Sequence, residues 1–211
     1  MRLKDNQAEM PLLRFTGKIT AVVVTNILWL LCCLPVITAG ASTRALYVNM
    51  SLFLAGEDCG VRTFFKAFAK DFRRITGLWL IILVAVVALV ADYCIVAYLN
   101  FPGRMVAIGL IFFVGFLLLF FSSLTFPMLS QFSMSVKDAA INGVLLSLAH
   151  LPKVLMVTAV NLAPWALLLV STKWFLMLAM LWVCCAFSLM AIYALKILEP
   201  AFAPYREREE K

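Results

Sequence analysis

The chain alternates between long apolar runs and short polar connections, the pattern of a helical membrane protein. Five runs are long enough to cross a bilayer, since a crossing helix needs about 20 apolar residues. They are residues 19–39, 75–99, 105–129, 154–170 and 174–198. Because backbone groups find no water partners in lipid, runs this apolar are predicted to be helical.

A sixth segment, residues 41–56, is ambiguous. As a helix it reaches about 24 Å, slightly less than the roughly 30 Å of a hydrocarbon core. It carries Arg44 near one end, where a long cationic side chain can extend to the interface. The segment either crosses the membrane as a short sixth span or lies in the interface.

The distribution of basic residues favours six spans. With five spans, the two sides of the membrane carry 12 and 6 Lys and Arg residues, whereas with six spans they carry 15 and 3. The sharper asymmetry is favoured because Lys and Arg accumulate on the cytoplasmic side. We therefore predict a single transmembrane domain over residues 1–211, an all-α polytopic membrane helix bundle with six spans or, alternatively, five. Both arrangements place the C-terminus in the cytoplasm, and six spans also place the N-terminus there.

Residues 61–74, VRTFFKAFAKDFRR, have the pattern of an amphipathic helix. At about 100° per residue, the aromatic side chains fall on one face and the cations on the other. The aromatic residues are Phe64, Phe65, Phe68 and Phe72, and the cations are Arg62, Lys66, Lys70, Arg73 and Arg74. This pattern is typical of a helix at the cytoplasmic membrane surface, with cations towards anionic headgroups. It predicts either a membrane-docked connector or a docking face for a partner protein.

Composition and charge agree with this class. Hydrophobic residues make up 64% of the chain and charged residues 14%, against roughly 45–50% and about 25% in soluble domains. The net charge of +7 comes from basic residues that lie between and beside apolar runs. Anionic lipid headgroups account for that charge, so we expect the lipid bilayer and not nucleic acid as a partner.

Few residues could carry chemistry. His150 is the only histidine, and no Ser or Cys motif is placed to use it as a base. No P-loop, GxGxxG or HExxH motif occurs, so we predict no catalytic residue, cofactor or metal. Polar residues within the apolar runs form a candidate intramembrane polar site, namely Asn26, Asp92 and Asn161. Such groups either bind a proton, cation or substrate or join helices by hydrogen bonds.

The stretch from Gly17 to Tyr47 carries a specific motif. Its residues are Asn26, Trp29, Leu30, Leu31, Leu34, Pro35, Gly40, Ala41, Ser42 and Thr43. In this motif the chain resembles the opening of the YesL-like family of bacterial integral membrane proteins, a domain of unknown function. The segment FFKAFAKDFRR and the stretch from Pro127 to Lys153 are also similar to that family. Arg44 departs from the family pattern, which has a small or hydroxyl residue there.

The resemblance implies an accessory role and carries over no catalytic residue. Members of that family look like companions of carbohydrate-uptake systems in Gram-positive bacteria, often beside binding-protein-dependent sugar transporters. We therefore expect a non-enzymatic membrane protein that is accessory to carbohydrate uptake, with a sugar ABC-transporter permease as its partner. The alternative is a small-solute transporter or channel in its own right, with a polar path built from Asn26, Asp92, Asn161 and a helix break at Pro164.

Overall fold

The computed structural model describes residues 11–99, 101–132 and 134–209, so residues 1–10, 100, 133 and 210–211 of the predicted domain lie outside the described residues. Throughout the described ranges the chain forms helices and no strand. In chain order these are α1 (Pro11–Cys33), α2 (Ala39–Ala55), α3 (Val61–Ala69), α4 (Phe72–Tyr98), α5 (Arg104–Gln131), α6 (Val136–Ala149), α7 (Leu151–Val170), α8 (Thr172–Met177), α9 (Ala179–Leu181) and α10 (Phe187–Glu209). A 3₁₀ turn (Val36–Thr38) precedes α2, and a π-helical turn (Trp182–Ala186) precedes α10.

Five helical stretches are long and apolar enough to cross a membrane. They are Thr16–Cys33, Phe72–Tyr98, Arg104–Gln131, Leu151–Leu168 and Ala179–Arg206. Each overlaps one of the five long apolar runs, so the predicted all-α polytopic membrane helix bundle is confirmed. Exposed apolar side chains such as those of Ile81 and Val84 cover α4 away from the core, as expected for a helix in contact with lipid.

The predicted sixth span, residues 41–56, forms α2 and is not one of these five stretches. The choice between six spans and the alternative of five stays a prediction, because α2 is only slightly shorter than the shortest of these stretches. α2 has 17 residues and packs against α1, α3, α4, α5 and α10. Met50 on α2 lies fully buried in one cluster with Leu124 of α5 and Leu198 of α10. α2 is thus a central packing helix.

α1 and α2 form an antiparallel hairpin. The Ser42 hydroxyl donates to the Trp29 carbonyl at 3.0 Å, and the Asn49 amide donates to the Thr25 hydroxyl at 2.8 Å. Because residue numbers rise along one helix as they fall along the other, α2 runs back along α1. The turn between them exposes apolar residues, including Leu34, which is 76% exposed.

Both ends of the described chain lie at one end of the bundle. Thr16, near the start of α1, borders the α2–α3 loop at Gly60. The same loop, at Glu57, borders the last helix at Glu199 and Arg206. The chain therefore enters and leaves the bundle at the end that holds the α2–α3 loop.

The segment predicted as one amphipathic helix over residues 61–74 is divided in two, which corrects that prediction. α3 ends at Ala69 and α4 begins at Phe72, because Asp71 adopts a left-handed conformation with φ of 55°. Aspartate tolerates this region better than most residues, since its short polar side chain can hydrogen-bond locally. Arg73 and Arg74 therefore belong to the start of a spanning helix.

Candidate functional site

The motif residues of the α1–α2 hairpin lie together and hold the hairpin closed. Trp29 Nε1 donates to Thr43 Oγ1 at 3.2 Å, while Ser42 Oγ donates back to the Trp29 carbonyl. Pro35 begins the turn, and its carbonyl accepts a hydrogen bond from the Thr38 amide at 2.9 Å. The side chains of Trp29, Ser42 and Thr43 therefore join the two helices of the hairpin.

Gly40 lies where α4 crosses α2. A Cβ at this position would meet the side chain of Trp79 and come within 3.4 Å of the Ile75 carbonyl. Trp79 Nε1 in turn donates to the Val36 carbonyl at 2.7 Å. The glycine is required here by the close approach of two helices, since any side chain would push them apart.

Arg44 is only 6% exposed and joins three helices. Its Nε donates to the Leu129 carbonyl at 2.9 Å, and its Nη1 donates to the carbonyls of Ala67 at 3.1 Å and Lys70 at 2.9 Å. Leu129 lies in the last turn of α5, and Ala67 lies in the last turn of α3, where carbonyls lack intrahelical partners. The guanidinium also meets the negative ends of two helix dipoles. Arg44 is therefore a C-terminal cap shared by two helices.

The charge of Arg44 survives this burial. An arginine remains protonated in proteins even so. The three carbonyls thus stabilise a full positive charge inside the bundle.

Asn49 fixes the other end of α3. Its Nδ2 donates to Thr25 Oγ1 at 2.8 Å and to the Gly60 carbonyl at 3.2 Å, and its Oδ1 accepts from Thr63 Oγ1 at 2.6 Å. The Gly60 amide donates to Thr63 Oγ1 at 2.8 Å, which closes the start of α3. With Arg44 at one end and Asn49 at the other, α3 is held antiparallel against α2.

The predicted docking residues do not share one surface. Phe64 is fully buried and packs against Ala45 of α2, so this ring faces protein rather than lipid. Phe65 is 46% exposed, while Phe68 and Phe72 are half-buried. The cations are all exposed, namely Arg62, Lys66, Lys70, Arg73 and Arg74. Phe65 and the cations therefore form the outer surface of this region.

Asn26 of the predicted intramembrane polar site is fully buried and fully bonded. Its Nδ2 donates to the carbonyls of Trp182 at 3.0 Å and Val183 at 2.7 Å, and its Oδ1 accepts from the Ser188 amide at 3.0 Å. A π-helical turn leaves backbone groups that need partners, and Asn26 supplies them. Asn26 therefore joins α1 to the start of α10.

The other two residues of that predicted site lie elsewhere. Asp92 is exposed on α4, and Asn161 is half-buried on α7. Across the residues that the structure describes, no hydrogen bond joins any two of Asn26, Asp92 and Asn161. The structure does not bring the three together as one site.

Asn26→Ala is expected to lower the free energy of unfolding by about 1–2 kcal/mol, because interhelical hydrogen bonds in membranes have this value. Thermal unfolding of the purified protein in detergent measures the effect. Asn161→Ala is the matched control, and its midpoint should stay close to that of the unsubstituted protein. Equal shifts in the two variants would contradict the joining role of Asn26.

The sequence pattern does not predict the hydrogen-bonded set of Thr25, Asn49 and Thr63. Asn49 is a polar residue within an apolar segment. The same criterion identified Asn26 as a candidate, so it could also have identified Asn49. Its partners lie on α1, in the α2–α3 loop and on α3, and the sequence does not show which residues it meets.

Five helices that are long and apolar enough to cross a membrane define the class of multi-pass α-helical membrane proteins. Within this class, residues 22–93 match the family described as protein of unknown function, DUF624. The match runs from α1 through most of α4 and so includes the hairpin motif, Arg44 and Asn49. No curated protein and no solved structure matches the chain.

Proposed function

We propose that this protein is a non-enzymatic membrane protein that is accessory to a bacterial carbohydrate uptake system. The proposal is supported by how the buried polar side chains are used. Asn26, Arg44 and Asn49 each bond to a neighbouring helix or loop. Transport sites instead keep intramembrane polar groups available to substrate or ion. A bundle that uses these groups for packing suits a protein that assists a transporter.

In this proposal the end of the bundle that holds both chain ends faces the cytoplasm. Arg62, an exposed cation, lies in the first turn of α3, directly after the α2–α3 loop at this end. Basic residues accumulate on the cytoplasmic side, and the anionic lipids of the inner leaflet attract them there. The N- and C-termini would then both be cytoplasmic.

The proposed partner is a sugar ABC-transporter permease. The carbohydrate assignment rests on the resemblance to the YesL-like family, whose members look like companions of sugar transporters in Gram-positive bacteria. The outer face of α3 is the proposed contact surface, because Phe65 stands exposed between the cations Arg62 and Lys66. An aromatic anchor bordered by charge is a common interface arrangement.

Crosslinking in intact membranes, followed by purification and mass-spectrometric identification, tests the proposal. Reproducible recovery of a sugar permease would support it and would give the substrate class through the partner. Recovery of the protein alone, together with solute flux in liposomes that contain only this protein, would support the alternative of a small-solute transporter or channel.

Phe65→Glu is expected to reduce recovery of the permease by at least about tenfold, because it places a charge where the exposed aromatic anchor lies. Phe65→Leu keeps an apolar side chain and should retain most of the recovery. Size-exclusion chromatography checks that both variants remain folded. Equal recovery with the two variants would contradict the docking role of α3. Phe64 is unsuited to this test, since its ring is buried.

A further inference from the structure

A cationic cavity of about 250 Å³ lies where α2, α4, α5 and α6 meet the connection between α3 and α4. Its lining includes Arg44, Lys70, Asp71, Arg74 and Ser135. Three cations therefore face one carboxylate. An uneven charge of this kind attracts anions, and the low-polarity walls behind it strengthen the attraction.

Arg44 brings a donor that the fold leaves unused. Its Nε and Nη1 donate to backbone carbonyls, whereas Nη2 has no hydrogen-bond partner among the described residues. The Nη2 atom also keeps some solvent exposure. The Arg44 side chain is 6% exposed and lines the cavity. The Asp71 carboxylate pairs with Arg74 instead, at 3.9 Å.

The N-terminus of α6 adds backbone donors at the same place. Ser135 is the N-cap, and its hydroxyl accepts from the Asp138 amide at 3.1 Å. The amides of Val136 and Lys137 lack intrahelical acceptors, and the helix dipole is positive at this end. The Asp138 carboxylate accepts from the Ser135 hydroxyl at 2.6 Å and offsets part of this field.

We propose that this cavity binds a phosphoryl group, carried either by an anionic lipid headgroup or by free phosphate. A phosphoryl group has several acceptor oxygens that point in different directions, so it can meet a guanidinium fork, an ammonium and helix amides together. The donors around the cavity come from Arg44, Lys70, Arg74 and the start of α6, and they match that arrangement. The inference is independent of the proposed accessory function.

Thermal unfolding of the full-length protein in detergent tests the proposal with three probes. These are inorganic phosphate, phosphatidylglycerol and, as the control, phosphatidylcholine, whose phosphate charge is balanced by its own choline cation. Stabilisation by phosphatidylglycerol alone identifies a lipid headgroup site, and stabilisation by inorganic phosphate identifies a site for the free anion. If neither probe raises the midpoint above the phosphatidylcholine control, the proposal is overturned.

Two substitutions and a matched control show whether the cavity is responsible. Lys70→Gln and Arg74→Gln are each expected to weaken binding about tenfold, since each removes a charge-assisted hydrogen bond. Arg73→Gln removes the same charge from the adjacent exposed position, which does not line the cavity, and should leave binding unchanged. If Arg73→Gln weakened binding equally, the general positive charge of the surface would explain the effect, and the proposal would be overturned.

A substitution of opposite sign completes the test. Asp71→Asn removes the carboxylate from the lining and is expected to tighten binding of the same probe. Asparagine also tolerates the left-handed conformation at this position, so the backbone should be kept. Unchanged or weaker binding in this variant would contradict an electrostatic site in the cavity.

Discussion

Arg44→Met is expected to lower the free energy of unfolding by several kcal/mol, because it leaves three buried acceptors without a partner. Methionine keeps much of the side-chain length but has no donor, so the carbonyls of Leu129, Ala67 and Lys70 lose their partner. A buried acceptor without a partner costs about 1–3 kcal/mol. The three losses would not add fully, because the ends of α3 and α5 can shift to find other donors.

The measurement is the midpoint of thermal unfolding in detergent, followed by size-exclusion chromatography after stepwise heating. Arg73→Met is the control, since it makes the same chemical change at an exposed position. Arg44→Lys should fall between the two, because an ammonium keeps the charge but lacks the planar fork that reaches three carbonyls. If Arg44→Met and Arg73→Met unfold at the same temperature, the capping role of Arg44 is wrong.

The capping contacts of Arg44 could not be predicted from the sequence. Its position near one end of a short apolar segment supported an interpretation as a side chain reaching the interface, which depends only on length and sequence position. Capping depends on where α3 and α5 end in space. Leu129 is 85 residues away in sequence, and no local pattern points to that contact. The sequence shows that Arg44 departs from the pattern of the family that the chain resembles, but it does not show that this residue caps α3 and α5.

The long spans were predictable because their cause is local. A run of apolar residues is favourable in lipid whatever its neighbours are, and its backbone must then be helical. α2 is different, because its 17 residues lie near the length limit and its surroundings are mostly other helices. The charge and length of α2 can be taken from its own sequence. Its position in the fold depends on contacts with five neighbouring helices, which the sequence does not show.

The sequence predicts that residues 61–74 are amphipathic, but it does not predict what their apolar face contacts. Periodicity identifies an apolar face, yet it does not say whether lipid or protein covers that face. The Phe64 ring packs against Ala45 of α2, whereas the Phe65 ring remains exposed. The break at Asp71 was hidden too, because Phe68 and Phe72 keep a spacing of four across it and pack together with ring centroids 5.4 Å apart.

Gly40→Ala is expected to lower the free energy of unfolding by about 1–3 kcal/mol, the usual cost of overpacking a tight contact. The added methyl group would meet Trp79 at its Cβ, close to the α4 backbone, so a change of side-chain rotamer cannot relieve the contact. α2 and α4 must separate instead. The loss would appear as a lower midpoint in the same thermal measurement.

Gly77→Ala is the matched control for this substitution. Gly77 also lies in a helix, within three residues of Trp79, but a Cβ there meets nothing within 4 Å. Alanine is more favourable than glycine in a helix by roughly 0.5–1 kcal/mol, so this variant should unfold at the same or a higher temperature. The same chemical change is thus expected to shift the midpoint in opposite directions at the two sites. A Gly40→Ala protein as stable as Gly77→Ala would mean that α2 and α4 are not in close contact at Gly40.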